Sequence, residues 1–138
     1  MNFDSLKIEG RMKRPEYVYS VVKMYRDAID SVKTSFDKDL LEVKKLFNRE
    51  FTKGFLFNED NGNFTNEFRP NHMGILIGNV INYKDNKVTV RLTDDVSIND
   101  GLRIVSGDDV GVIINNFYIN NKLAKEAYSG DEITFEIK

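Results

Sequence analysis

The sequence has no cysteine, no tryptophan, one histidine and two prolines in 138 residues. Without cysteine, no disulfide scaffold, thiolate nucleophile or Cys-ligated zinc or iron–sulfur centre can form within the chain. The single histidine, His72, leaves no two-His metal site and gives a Ser–His triad little to build on. Nothing here calls for a metal or a cofactor. No apolar run reaches the 18 residues of a membrane span, and the N-terminus lacks the apolar core of a signal peptide. The expectation is a cytoplasmic chain without a membrane partner. A formal net charge of −2 excludes the strongly basic character of a free-standing nucleic-acid binder.

What is present is ordinary for a soluble domain: 41% hydrophobic, 30% charged, and 12% aromatic carried by Phe and Tyr. The two halves differ in character. Segment 1–50 holds 11 basic and 9 acidic residues, segment 51–138 holds 9 and 13. The chain is therefore slightly basic, then acidic. Val18, Val21, Val22, Tyr25, Ala28, Ile29 and Val32 recur at three and four, the period of an amphipathic helix. A second stripe, Phe36, Leu40, Val43, Leu46 and Phe47, follows a capping-box-like Thr34 and Asp37. Both stripes are expected to pack as core. Phe51, Phe55 and Phe57 then lead into an Asn/Gly-rich connector at 58–63. From Met73 the pattern alternates as strands do, with turn clusters every 8–12 residues, the spacing of a small barrel or sandwich. Asn gathers in the turns, as at Asn115, Asn116, Asn120 and Asn121. One phrase occurs twice: residues 96–102 and 127–133 each place a Gly/Asp pair just before a strand.

The first residues carry the densest chemistry. Ser5–Glu9 alternates as a strand, Gly10–Arg14 is a basic loop, and Pro15 suits the first position of a helix. Together they read as one βα unit. A lone strand lacks a ladder partner, so residues 1–10 are expected to be poorly ordered or held by a neighbour. In a (β/α)8 barrel, functional groups lie at the C-terminal strand ends and in the loops that follow. Lys7, Glu9, Arg11, Lys13 and Arg14 are thus a candidate anion- or substrate-binding lip beside a helix N-terminus. The competing reading is solvated charge with Glu9 paired locally.

Three segments resemble the U32 peptidase family, the collagenase-like proteases: residues 5–18, Phe47–Gly54, and Arg69–Gly74. They fall in the family's order over residues 5–78. Glu50 departs from the pattern, which would place Gly there. Beyond residue 78 the pattern is similar to the second domain of elongation factor Tu. The resemblance implies that residues 4–32 are the last βα unit of a (β/α)8 catalytic domain, and that residues 70–138 are an accessory barrel. The family's paired cysteines are absent, and a (β/α)8 domain needs about 250 residues, so the chain is expected to be a C-terminal piece or a separately encoded remnant. For the whole protein the resemblance implies peptide hydrolysis or prephenate-dependent hydroxylation of transfer or ribosomal RNA. It carries over Glu9, Arg11 and Lys13 as active-site-lip positions.

The resulting expectation is an α+β chain. A helical region spans 1–57, a linker 58–69, and a six-stranded, mainly antiparallel β-barrel 70–138. No catalytic residue is assigned. Arg69, Asn71 and His72 form a domain-junction motif, with His72 fixing the backbone through ring hydrogen bonds rather than acting as a general base. The expected role is a non-catalytic accessory or substrate-presenting module, with the catalytic (β/α)8 domain as partner and peptide or RNA as substrate. An RNA-recognition module of an RNA-hydroxylating relative is the alternative. A peptidase in its own right would need Ser5, Ser20 or Thr34 beside a base, and no spacing suggests one.

Overall fold

The computed structural model describes residues 4–32, 35–54, 71–105 and 110–137. The chain divides into two compact units, Met1–Ile75 and Leu76–Lys138. The expected linker at 58–69, Phe55, Phe57 and Thr34 lie outside the described residues.

Helix α1 spans Pro15–Ile29 and α2 spans Asp37–Leu46. Pro15 opens α1 behind an extended Arg14, its fixed φ suiting the first turn. The helix ends in a Schellman motif. The Val32 N–H donates to the Asp27 carbonyl and the Ser31 N–H to the Ala28 carbonyl, with Ser31 at φ +55 in the place usually taken by glycine. Lys23–Asp27 and Arg26–Asp30 ion pairs, at 2.8 and 2.5 Å, brace successive turns. Helix α2 follows an N-cap at Phe36 that makes no side-chain cap bond. Asp37 stands inside the first turn, with Ser35 Oγ 2.9 Å from its carboxylate.

The two helices pack against each other, and Val21 and Val43 are the buried hydrophobics among the described residues of this unit. Much of the rest of the α1 stripe is open: Val18 is half-buried, but Val22, Tyr25, Ile29 and Val32 are 43–65% exposed. The expectation that both stripes are core therefore fails for most of α1, because two short helices offer one seam and α1 has apolar residues on more than that side. Residues 5–9 form no strand, and no partner strand lies among the described residues of the unit. The segment instead lies beside Tyr17, Val21 and Tyr25 of α1.

The second unit holds nine strands among its described residues: β1 Gly78–Lys84, β2 Lys87–Leu92, β3 Val96–Ser97, β4 Gly101–Ile104, β5 Val110–Ile113, β6 Phe117–Ile119, β7 Lys122–Ala124, β8 Glu126–Ala127 and β9 Glu132–Glu136. They form an antiparallel five-stranded sheet, β1-β2-β9-β6-β7, with two ribbons, β3-β8 and β4-β5. The six-stranded closed barrel of the sequence reading is not found among the described residues. Left-handed residues close two hairpins of the five-stranded sheet. Asp85 and Asn86 sit at φ +51 and +60 between β1 and β2, and Asn120 and Asn121 at +50 and +63 between β6 and β7. These are the paired positive φ values of a two-residue hairpin turn, which gives the clustered Asn a conformational role. The core is one cluster of Val88, Val90, Leu92, Val96, Ile114, Phe117, Ala127, Ile133 and Phe135.

The twice-occurring phrase builds a local two-fold relationship. Val96 pairs with Ala127 across β3 and β8. Asp100 accepts from the Ser97 N–H at 2.8 Å, and Asp131 from the Tyr128 N–H at 2.9 Å. Asn99 and Gly130 both take positive φ, +72 and +98. The first turn exchanges two backbone hydrogen bonds with buried Ile114, the second two with buried Leu92.

Candidate functional site

Two of the sequence motifs meet in the first unit. Asn48 follows the end of α2, where Phe47 turns extended and closes the last helical bond onto the Val43 carbonyl at 2.9 Å. Its backbone N–H donates to His72 Nδ1 at 2.9 Å. Its carbonyl accepts from the Met73 N–H at 2.8 Å, and its side-chain amide donates to the Gly74 carbonyl at 2.7 Å. Its amide oxygen accepts from the Glu50 N–H at 2.8 Å. Both backbone groups and both side-chain groups of one residue are thereby engaged, three of them on residues 72–74.

His72 Nδ1 also accepts from the Gly74 N–H at 3.3 Å. Two N–H groups pointing at Nδ1 require its lone pair, so the neutral ring carries its proton on Nε2. Gly74 turns at φ +69 with open space around it, a conformation that glycine takes without a Cβ penalty. The His72 ring stacks on Phe47, with centroids 5.8 Å apart and planes 12° from parallel. Tyr17 of α1 meets Phe47 edge-on at 5.9 Å, and Lys13 Nζ stands 3.2 Å from the Phe47 centroid. Phe47 thus ties the basic loop, α1 and residues 72–74 together, with a cation–π contact worth about 0.5–2 kcal/mol between two half-buried side chains.

The lip residues do not converge. Lys7 pairs with Glu9 at 3.4 Å, both exposed, and Glu9 also accepts from the Arg11 N–H at 3.2 Å. The loop closes with the Lys13 N–H on the Gly10 carbonyl at 3.0 Å. A Cβ on Gly10 would lie 2.7 Å from Val18 Cγ2, so only glycine lets the loop approach α1 this closely. Arg11 and Arg14 are exposed, Lys13 is half-buried on Phe47, and Asn71 is exposed. Arg69 lies outside the described residues. Sequence reasoning missed Phe47 and Asn48 as site residues. The signal was the second motif itself, but its contact with His72 spans 24 positions and has no local trace.

The arrangement holds backbone rather than reacting groups. Among the described residues no serine or threonine hydroxyl is hydrogen-bonded to His72, and no three His, Asp or Glu side chains cluster as a metal site. No described helix is long and apolar enough to cross a membrane. Elsewhere, Asp30 beside Arg26 raises the guanidinium's already high pKa, through its hydrogen bond first and its charge second.

The first unit is thus a pair of helices tied by an Asn–His clamp, and the second an antiparallel β unit. Residues 1–66 match the family model of peptidase family U32, and the chain belongs to that family. It is 35% identical over 146 aligned residues to an uncharacterized protease of Methanocaldococcus jannaschii, covering 95% of this chain and 36% of that protein. It is 25% identical to a collagenase of Porphyromonas gingivalis, covering 96% of this chain and 35% of that protein. A tRNA hydroxylation protein P2 of Bacillus subtilis is 38% identical over 65 residues, 41% of this chain and 21% of that protein. The chain thus spans about a third of the first two relatives. No solved structure matches.

Proposed function

We propose that this chain is a non-catalytic accessory or substrate-presenting part of a U32-family protein, acting beside a catalytic (β/α)8 domain. In this reading residues 4–32 correspond to the last βα unit of that domain. The β unit corresponds to an accessory domain similar to the second domain of elongation factor Tu. The observation that carries the reading is the commitment of His72: Nδ1 is held by the N–H groups of Asn48 and Gly74, which leaves no triad geometry for the chain's one imidazole. The names of two relatives, a protease and a collagenase, favour peptide as the substrate of the whole protein. A sensitive peptidase assay on the purified chain is expected to show no turnover. Reproducible turnover that survives repurification and vanishes in a point variant sinks the reading.

A second reading has its own support. The match to a tRNA hydroxylation protein and the exposed Arg11 and Arg14 favour RNA recognition at the basic loop. Transfer-RNA binding with a steep salt dependence, lost in Arg11→Ala/Arg14→Ala, would establish it. Absent or salt-insensitive binding returns the choice to protein docking.

A further inference from the structure

Among the described residues the first unit buries two hydrophobic side chains, Val21 and Val43, whereas the second unit buries nine. Yet along α1 the first unit leaves Tyr19 at 68%, Val22 at 46% and Ile29 at 60% exposure. With Pro15 and Val18, Tyr19 and Val22 line a shallow open groove along the helix. Contiguous apolar surface of this kind marks a contact that the unit does not make by itself.

The charges at the rim indicate what sort of contact it is. Lys23 and Arg26 border the groove, but each is neutralised within the helix, by Asp27 and Asp30. Lys13, at the other end, is drawn onto Phe47. An apolar floor between self-paired charges suits a packed protein face and gives a phosphate backbone nothing to neutralise. The relatives supply polypeptide for it: about two-thirds of both the M. jannaschii protease and the P. gingivalis collagenase lies outside the stretch this chain matches.

We infer that the Val18–Ile29 face of α1 is the seam on which the remaining two-thirds of a U32 polypeptide docks, through an apolar face of its own. This deepens the accessory reading and rests on it. The chain contains no cysteine, which makes thiol labelling a clean probe. Single Tyr19→Cys and Ile29→Cys substitutions, both at exposed positions and checked for unchanged helicity, are expected to react at the rate of an unprotected thiol. Cysteines at the aligned positions of the full-length M. jannaschii relative are expected to react at least tenfold more slowly, with mass spectrometry separating them from any native thiol.

Equal reactivity in the two proteins overturns the inference. So does a concentration-dependent dimer of this chain that Val22→Glu dissolves, because the face then serves a second copy. Either result leaves the accessory reading standing. Turnover by the chain alone would remove that reading while leaving the shielding of α1 untouched.

Discussion

Asn48 donates its backbone N–H to His72 Nδ1 at 2.9 Å, joining the segment after α2 to one 24 residues further along the chain. The same imidazole lies flat against Phe47, so one ring carries both a polar and an apolar link. Replacing His72 by Ala leaves the half-buried N–H groups of Asn48 and Gly74 without their acceptor and removes the stack. A loss of about 1–3 kcal/mol is expected, read as a lower melting temperature. In 15N-resolved spectra of the native protein, Nδ1 should appear as the unprotonated ring nitrogen. A protonated Nδ1 would contradict the clamp. Loss of activity in a full-length relative at unchanged stability would count against a structural role.

Glu50 sits at φ +67, two residues beyond the clamp, with its N–H bound to Asn48 Oδ1. This is a conformation that glycine favours and other residues adopt at a cost. A non-glycine residue there costs about 1–2 kcal/mol, partly offset by the chain entropy glycine loses. Glu50→Gly should therefore stabilise the protein by about 0.5–1 kcal/mol, measured by denaturant titration. Ser31→Gly, at the left-handed end of α1, should act in the same direction. Destabilisation by both would show that these side chains contribute more than their strain costs.

The two-fold turn pair offers an internal comparison. Asn99 and Gly130 occupy equivalent left-handed positions, and Asp100 and Asp131 make equivalent bonds to the N–H three residues back. Gly130→Ala should cost about 1–2 kcal/mol, whereas Asn99→Gly should be neutral or stabilising. Asp100→Ala and Asp131→Ala should each cost about 0.5–1.5 kcal/mol. Costs differing by more than twofold between the two aspartates would mean that the turns are alike in shape but unequal in energy.

These positions also show what the sequence made legible. Periodicity found α1, α2 and the alternation of β2 and β9, because those signals are local and repeat every few residues. The duplicated phrase was visible too. The strand count was not, because pieces as short as β3 and β8, two residues each, are too brief to show a period of their own. The Asn48–His72 link could not be read either, since a contact across 24 positions leaves no periodic trace. The α1 stripe showed that a helix would form, while its exposure depends on how many partners the unit contains.

Tyr128 gives a pH-dependent test of the second turn. Its hydroxyl donates to Glu126 Oε2 at 3.1 Å. That hydrogen bond first, and then the charges of Glu126, Asp95 and Asp131, raise the phenol above its ordinary value. The folded state thus holds this proton more tightly than the unfolded chain does. The unfolded chain binds fewer protons above the ordinary phenol value, so the group's contribution to stability falls as pH rises from there towards the folded value. Spectrophotometric titration should show one of the six tyrosines ionising later than a free phenol. Glu126→Gln should bring it back towards the ordinary range and weaken the alkaline fall in melting temperature. An unchanged titration in Glu126→Gln would show that the carboxylate does not hold the phenol's proton.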